Sequence, residues 1–234
     1  MKNVLITAAT KGIGRAVAIA FAKEGLNLAI CARRADDLEA FKKELSAVNP
    51  AVKIFTSVTD CSIKEQLLQF AGAAERELGL ISIIVNNVGI YEYSSILNDS
   101  DETLDKHLNT NLKPAYELYR YFGKTMIAAK DGNIFNICSI AALNPIAEAG
   151  AYSVTKYALL GLTKVMRLET QPHGIKVTAV IPGSTLTDSW NGITVEKDKM
   201  VLPEDVASAI INIYKMSPGA NVDEILIKPV YGQI

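Results

Sequence analysis

The sequence predicts an α/β protein built on a doubly wound parallel sheet of about seven strands, with helices on both faces. Short apolar runs alternate with helical patterns along the 234 residues, which is the order that successive βαβ units require. The first two runs are almost entirely apolar, as is typical of strands covered on both faces. A turn with two glycines, Gly12 and Gly14, follows the first run and opens the first helix, at the edge where such sheets bind ligands.

Periodicity assigns the individual elements. Strands are expected over 4–9, 26–32, 52–58, 80–85, 133–138, 175–181 and near 224–228. Helices are expected after Gly14, around Leu38, Phe41 and Leu45, over 62–78, over about 101–129, from Tyr152 to about 170, and after Pro203. Ser62, with Glu65 three residues later, has the pattern of a capping box. No linker or repeat interrupts the chain, so we expect one domain over residues 1–234, with a polar, glycine-containing lid at about 184–202.

Composition excludes several classes of function. The chain is 49% hydrophobic with a formal net charge of −1, which argues against a nucleic-acid partner. No apolar run is long enough for a membrane span. The three cysteines, Cys31, Cys61 and Cys138, show neither metal-ligand spacing nor a pairing pattern. We therefore expect a cytoplasmic protein without a metal or a disulfide framework.

The turn at residues 7–14 has the features of a phosphate-binding loop. Gly12 and Gly14 let the backbone approach a pyrophosphate, and the helix from Ile13 directs its positive end there. The first position of the turn is Ala8 where glycine is usual. An ordinary strand-to-helix turn is the alternative interpretation.

The end of the second apolar run indicates which dinucleotide binds. NAD-binding proteins place a carboxylate there, on the ribose hydroxyls. This chain instead has Arg33 and Arg34, and guanidinium groups pair well with a 2′-phosphate. Lys11 in the phosphate loop could reach the same group. These residues predict NADP(H); the alternative is that the arginines begin a solvated helix.

A hydroxyl and an i, i+4 pair suggest the chemistry. Ser139 follows an apolar run, and Tyr152 and Lys156 share one helix face. A carbonyl that accepts a hydride needs a proton donor and hydrogen bonds at its oxygen. We expect Tyr152 to be that acid, with Lys156 lowering its pKa toward neutrality and the positive nicotinamide ring of the oxidised cofactor adding to the effect. The two histidines, His107 and His173, are expected at a helix surface or in a turn.

Taken together, these motifs resemble those of the classical short-chain dehydrogenases/reductases, over nearly the whole chain. The matching positions are Thr7, Gly12, Gly14, Asp60, Asn86 to Gly89, Asn111, Ser139, Tyr152, Lys156, Pro182, Gly183 and Thr187. The resemblance implies a Rossmann fold, with Asp60 on the adenine and Asn87 and Gly89 beside the cofactor. It places the segment from residue 181 to Thr187, including Pro182, Gly183 and Thr185, against the nicotinamide carboxamide. Val88 replaces the usual alanine.

The resemblance also implies roles in catalysis. Lys156 would hold the nicotinamide ribose, Ser139 would orient the substrate oxygen, and Asn111 would complete the group. Asn111 lies inside the predicted long helix, shortly before Pro114, and proline disturbs a helical turn. We expect a freed backbone carbonyl near Asn111 to hold a water that links Lys156 to solvent.

The substrate is less well determined by the sequence. Tyr91, Ile140, Asn144 and Trp190 lie on segments that should surround the reacting carbonyl, although loop packing explains them equally well. The closest resemblance is to 3-oxoacyl-(acyl-carrier-protein) reductases, which implies an acyl-thioester substrate and an acyl carrier protein as partner. Lys130 fits a basic entrance for that acidic partner, whereas His173 fits poorly. The C-terminal end instead resembles enzymes that act on small 3-hydroxy acids or assorted carbonyls.

Two further expectations concern class and assembly. A non-catalytic NADP sensor or scaffold on the same fold is the competing hypothesis, because fold alone does not determine function. The predicted helices at 101–129 and 152–170 carry more apolar residues than one sheet face needs. Family members pair such helices, so a homodimer or homotetramer is expected.

Overall fold

A computed structural model describes residues 1–93, 95–190, 192 and 196–232. Seven parallel strands form one sheet in the order β3-β2-β1-β4-β5-β6-β7. The strands are β1 (Asn3–Ile6), β2 (Asn27–Ala32), β3 (Ile54–Val58), β4 (Ile81–Asn86), β5 (Asn133–Ile137), β6 (Lys176–Pro182) and β7 (Glu224–Ile227). The predicted fold class is confirmed.

Helices cover both faces of this sheet. They are α1 (Gly12–Lys23), α2 (Ala35–Val48), α3 (Lys64–Leu78), α4 (Thr103–Asn111), α5 (Lys113–Ala129), α6 (Gly150–Thr170) and α7 (Pro203–Tyr214). One buried cluster joins the sheet to α1, α2 and α7, and a second joins it to α3, α5 and α6. Neighbouring strand residues serve different clusters: Val4 and Ile6 face the first, and Leu5 faces the second. None of the described helices is both long and apolar enough to cross a membrane.

The strand order places the ligand-binding edge. β1 lies between β2 and β4, so the chain leaves β1 in one direction and returns to its other side through β4. Ligands bind beyond the carboxyl ends of the strands at such a switch point. The segments after β1, β4, β5 and β6 therefore meet at one edge, and they carry most of the predicted site residues.

The predicted long helix is two helices. α4 ends at Asn111 and α5 begins at Lys113, with Leu112 between them at φ −120° and ψ −56°. Pro114 stands in the first turn of α5, where a missing N–H costs nothing. The disturbance expected from the proline is confirmed, but the prediction of one continuous helix was wrong.

The predicted cap of the third helix is also wrong. α3 begins after Ile63, and no side chain caps it. Ser62 instead donates its backbone N–H and its hydroxyl to Asp60 Oδ1, at 2.9 and 2.7 Å. The Asp60 carboxylate, two residues earlier, accepts both bonds from Ser62. The serine hydroxyl therefore turns toward this carboxylate and away from the helix amides.

The predicted lid at 184–202 is described only in part, because Asn191 and residues 193–195 lie outside the described residues. Its two ends pair: Leu186 N donates to Val201 O at 2.8 Å, and Val201 N donates to Ser184 O at 3.1 Å. The two ends of the segment therefore lie side by side just beyond β6.

Candidate active site

Ser139, Tyr152 and Lys156 converge at the carboxyl end of β5. The Ser139 side chain acts on the Tyr152 phenol and lowers its pKa. The serine oxygen also accepts a bond of 3.1 Å from Ala141 N, which fixes its orientation. Lys156 is 4% exposed, and its Nζ donates to Ile137 O at 2.9 Å. The same Nζ lies 5.6 Å from the centroid of the Tyr152 ring. The structure thus brings together three of the four predicted catalytic groups.

Burial governs the titration of both the phenol and the amine. It raises the pKa of Tyr152 to about 12, and the serine hydrogen bond only partly offsets it. It lowers the pKa of Lys156 to about 8. The expectation that Lys156 holds the phenol pKa near neutrality is therefore wrong for this chain by itself. The ammonium lies over the ring face, and desolvation, which disfavours the charged form of each group, is the largest cause of both shifts.

Asn111 completes the group from the end of α4. Its Oδ1 accepts from Ile90 N at 2.7 Å, and its Nδ2 donates to Ile90 O and to Thr155 Oγ1, both at 3.1 Å. A Cβ built on Gly89 would lie 3.4 Å from Asn111 Oδ1 and 3.5 Å from Lys156 Nζ. An added methyl group would thus be in van der Waals contact with both side chains, which places the Gly89 backbone directly beside them. The predicted water on a freed carbonyl stays a prediction.

Aromatic side chains form a wall beside the phenol. The ring of Tyr91 meets that of Tyr152 edge-on, with centroids 5.0 Å apart and planes at 75°. Tyr93 in turn meets Tyr91 at 5.6 Å. Ile140 is half-buried one residue after Ser139, whereas Asn144 is exposed. Among the predicted substrate residues Tyr91, Ile140 and Asn144, Tyr91 is therefore the one whose ring contacts the Tyr152 phenol ring.

Thr7 and Asn87 bind the phosphate loop to the end of β4. Thr7 Oγ1 accepts from Asn87 N at 2.9 Å and from Val88 N at 3.0 Å. Asn87 Nδ2 donates to the carbonyls of Thr7 and Ala8, each at 3.0 Å. A Cβ on Gly14 would lie 2.5 Å from that amide nitrogen. The second glycine is therefore required by the packing of the helix start on this network.

The turn itself uses the left-handed region twice. Gly12 has φ +51° and Ala8 has φ +53°. Ala8 stands where the family pattern has glycine, so this chain keeps the backbone angle and carries a methyl group there. An L-residue in this region costs about 1 kcal/mol relative to glycine.

The three predicted phosphate-binding cations are exposed near the carboxyl ends of β1 and β2. Arg33 and Arg34 are both exposed, and Arg34 Nε lies 3.4 Å from Asp37 Oδ2. Lys11 Nζ lies 3.0 Å from Asp188 Oδ2, a carboxylate of the predicted lid. Asp60 faces this group: its bonds from Ser62 and the charge of Arg33 outweigh its partial burial and hold its pKa below the usual value.

The remaining predicted cofactor residues follow β6. Gly183 N donates to Ile227 O at 2.8 Å, directly after Pro182, and Thr185 Oγ1 donates to Gly183 O at 2.9 Å. Trp190 Nε1 donates to Thr185 O at 3.0 Å. A cavity of about 500 Å³ lies between this segment and the phosphate loop, lined in part by Gly12, Arg15, Thr187, Asp188 and Trp190. Trp190, predicted to touch substrate, thus lies on the phosphate-loop side.

Several supporting residues were missed. Thr155 accepts a hydrogen bond from Asn111, and Asp188 forms an ion pair with Lys11. Neither pairing is visible in the sequence. His107 was expected at a surface or in a turn, but it is fully buried. Its Nδ1 lies 2.9 Å from Thr103 O, and its Nε2 has no partner within the described ranges. The signal was available: His107 precedes Asn111 by one helical turn on the same face of α4.

Comparison with known proteins agrees with this arrangement. A family model described as short chain dehydrogenase matches residues 2–198. The chain belongs to the short-chain dehydrogenase family. The sepiapterin reductase of Chlorobaculum tepidum is 30% identical over 243 residues, which cover 100% of this chain and 99% of that protein.

Two further comparisons extend this result. The glycine betaine reductase ATRR of Emericella nidulans is 33% identical over 238 residues. These residues are 97% of this short-chain dehydrogenase but 19% of that protein, so the chain spans about a fifth of its length. The solved structure of an alcohol dehydrogenase from the archaeon Thermococcus sibiricus, complexed with 5-hydroxy-NADP, has a TM-score of 0.92 at 26% identity. It covers 100% of this chain and 99% of that one.

Proposed function

We propose that this protein transfers a hydride between NADP(H) and a carbonyl or secondary alcohol. The observation that carries the proposal is the convergence of Ser139, Tyr152 and Lys156, with Lys156 Nζ 5.6 Å from the centroid of the Tyr152 ring. A sensor or scaffold has no need of a buried amine beside a half-buried phenol, because burying the amine costs free energy. Family membership supports the reaction class.

The chain's own residues would handle the oxygen and its proton. The reduced nicotinamide, when bound, supplies the hydride to the carbonyl carbon. Tyr152 donates its proton to the oxygen as negative charge develops there, and the Ser139 hydroxyl donates a second hydrogen bond. Lys156, with its pKa near 8, exchanges protons readily around neutral pH. Asn111 holds the Ile90 backbone at the lysine's side of the site.

The proposed cofactor is NADP(H). Arg33 and Arg34 provide guanidinium groups for a 2′-phosphate, and no carboxylate stands at the end of β2 to repel it. The phosphate loop, with Thr7, Lys11, Gly12, Ile13 and Gly14, would take the pyrophosphate. Asp60, Asn87 and Gly89 would contact the adenosine side and the cofactor's middle, and Pro182, Gly183, Thr185 and Thr187 the nicotinamide. The NADP analogue bound to the archaeal alcohol dehydrogenase supports this choice.

For the substrate we propose 3-oxoacyl thioesters first, with an acyl carrier protein as partner, on the resemblance of the motifs. The second candidate is a compact carbonyl compound, such as a small 3-oxo acid or a diketone. The Tyr91 ring, 5.0 Å from that of Tyr152, favours the second because it closes one side of the site with an aromatic edge. The two relatives named above are called reductases of other compounds, so the assay includes both candidates.

We propose a single domain with the 184–202 segment as its lid, assembled as a homodimer or homotetramer. Several apolar side chains stay exposed on α5 and α6, among them Tyr116, Val154, Val165 and Leu168. A second copy of the chain that covers them would remove this apolar surface from water. Light scattering at micromolar concentration checks the assembly, and a monomer would contradict it.

One assay tests the function. NADPH oxidation is followed with acetoacetyl thioesters, small 3-oxo acids and diketones, and NADH is run beside NADPH. The proposal expects turnover with at least one class and a clear preference for NADPH. Equal rates with both cofactors would refute the roles of Arg33 and Arg34. Saturable NADPH binding without turnover of any class would favour the sensor.

A further inference from the structure

Two cysteines that are thirty residues apart in sequence lie against each other near the cations at the end of β2. Cys31 Sγ and Cys61 Sγ are 3.6 Å apart. Cys31 is the fifth residue of β2 and precedes Arg33 by two positions, and Cys61 directly follows Asp60. The pair therefore joins the two segments that bear the residues proposed for the 2′-phosphate and the adenine.

We propose that Cys31 and Cys61 form a reversible disulfide under peroxide, and that this bond weakens cofactor binding. A disulfide requires the sulfurs to approach to about 2.0 Å, so one segment must move by roughly 1.5 Å. The strand side is fixed, because Cys31 pairs in register with Ser57 of β3 and lies fully buried. Cys61 stands in the irregular segment between β3 and α3, which is the side able to move.

The chemistry is balanced with hydrogen peroxide as the oxidant. The Cys61 sulfur attacks one peroxide oxygen, the O–O bond breaks, and a sulfenic acid and one water are formed. The Cys31 sulfur then attacks the sulfenic sulfur, the S–O bond breaks, and a second water leaves with the thiol proton. Two thiols and one peroxide thus give one disulfide and two waters. A thiol reductant reverses the change through a mixed disulfide.

Exposure and titration indicate the order and speed of these steps. Cys61 is 6% exposed and Cys31 is 0% exposed, so a small oxidant reaches Cys61 first. The hydrogen bond with Cys31 and burial raise the pKa of the Cys61 thiol. Since the thiolate is the nucleophile, oxidation is expected to be slow near neutrality and faster as the pH rises.

The link to the cofactor follows from the backbone around the pair. Cys31 O accepts the Ala9 N–H of the phosphate loop at 3.0 Å, and Thr59 N donates to Ala32 O at 2.9 Å. Drawing Cys61 toward Cys31 displaces Asp60, whose carboxylate is held by Ser62 and faces Arg33. The coupling, unlike the bond itself, rests on the proposed cofactor site.

The test uses the full-length protein treated with peroxide, quenched, alkylated and mapped by mass spectrometry. We expect a peptide pair linked through Cys31 and Cys61, lost on reduction. The Cys138→Ala variant should form the same link, because Cys138 lies beside Lys156 and is not a member of the pair. The Cys61→Ala variant should not form it. Intact mass under denaturing conditions should fall by two hydrogens, which requires no activity.

Cofactor binding is measured on the same samples by NADPH fluorescence. The dissociation constant for NADPH should be at least about fivefold higher for the oxidised wild-type protein than for the reduced protein. Bound NADPH should slow disulfide formation, since coupling is reciprocal. Reduction should restore affinity, and peroxide should leave the affinity of Cys61→Ala unchanged. Absence of the linked peptides overturns the modification site. A linked protein with unchanged affinity overturns the coupling. Failure of the reduced protein to bind NADPH refutes the proposed function while the peptide result still stands.

Discussion

The two halves of the candidate site treat their polar groups in opposite ways. Beyond β5 and α4, the side chains of Ser139, Lys156 and Asn111 are buried and bonded to the protein itself. Beyond β1 and β2, Lys11, Arg33 and Arg34 stand in solvent, and Lys11 and Arg34 lie against nearby carboxylates. The first half is held by bonds within the protein, whereas under the proposed function the second would exchange its carboxylates for a ligand phosphate.

This difference predicts that the buried half determines turnover and that the exposed half determines cofactor affinity. Burying an amine beside a half-buried phenol lowers stability, and under the proposed function it holds both groups in the geometry of reaction. Exposed ion pairs contribute little to stability, so a ligand phosphate would replace them at small cost. Substitutions in the buried half should therefore change turnover and stability together, and substitutions in the exposed half should change cofactor affinity alone.

The largest effect is expected for Tyr152→Phe. Loss of the proton donor should reduce kcat by about a thousandfold, within the usual range for general acid catalysis, with NADPH affinity little changed. Tyr157→Phe is the matched control on the same helix, since that hydroxyl donates to Leu143 O at 2.6 Å. Steady-state kinetics on the best substrate of the carbonyl panel give the answer. A Tyr152→Phe enzyme with wild-type turnover would refute the mechanism.

Lys156→Met should reduce kcat/KM about a hundredfold and yet raise stability at pH 7. The folded pKa is about 8, against a usual value of 10.5, so the unfolded chain binds more protons between these values. Wild-type stability should therefore rise with pH across that window. Below pH 8 the buried ammonium costs about 3 kcal/mol, and methionine removes this cost. The substitution also removes the hydrogen bond to Ile137 O, so the expected net gain in stability is about 1 to 3 kcal/mol.

Chemical denaturation of Lys156→Met from pH 7 to 10 checks this prediction. The gain should shrink as the pH approaches 10. Lys164→Met, on the same helix but solvent-exposed beside Glu224, should show no such trend. A Lys156→Met protein that is less stable than the wild type at every pH would contradict the claim that burial of the amine is costly.

In the exposed half, Arg33→Ala with Arg34→Ala should weaken NADPH binding about tenfold to a hundredfold and leave NADH binding almost unchanged. The free energy of unfolding should stay within about 0.5 kcal/mol of wild type, because both side chains are in solvent. Arg120→Ala on α5 is the control. Equal losses for the two cofactors would mean that the arginines do not select the 2′-phosphate.

The smallest effect is expected for Asp188→Asn. Removing this carboxylate frees Lys11 for a ligand phosphate and should tighten NADPH binding about two- to fivefold at low salt, the size of a surface ion pair. The gain should vanish at high salt and in a Lys11→Ala background. Fluorescence titration at two ionic strengths measures it. Weaker binding would indicate that Asp188 supports the cofactor.

The sequence predicted the sheet, its parallel pattern and most element positions, because continuous apolar runs and glycine turns are local signals. It failed where residues compete for a partner or where partners are distant. Ser62 is a reasonable cap until Asp60, two residues earlier, competes for its hydroxyl. Pro114 indicated a disturbance near Asn111, but it did not indicate that the helix would divide into two at Leu112. His107 shares a face of α4 with Asn111 one turn later, and this local signal of its burial was not used.

The candidate site shows the same limit more sharply. The spacing of Tyr152 and Lys156 predicted their proximity, and the structure places Ser139 beside them. The direction of the phenol pKa was missed because it depends on burial, which Tyr91 and the surrounding segments provide. The pairings of Lys11 with Asp188 and of Cys31 with Cys61 join residues from different elements, so no local pattern reveals them.

Ala8 has a consequence for finding other proteins of this kind. Its backbone stands at φ +53°, the angle for which glycine is ordinarily chosen, while its letter breaks the glycine pattern. A search that demands the glycine would discard this chain, and one that demands the turn would keep it. Divergent members are better recognised by the angle that a position must adopt than by the residue that most often adopts it.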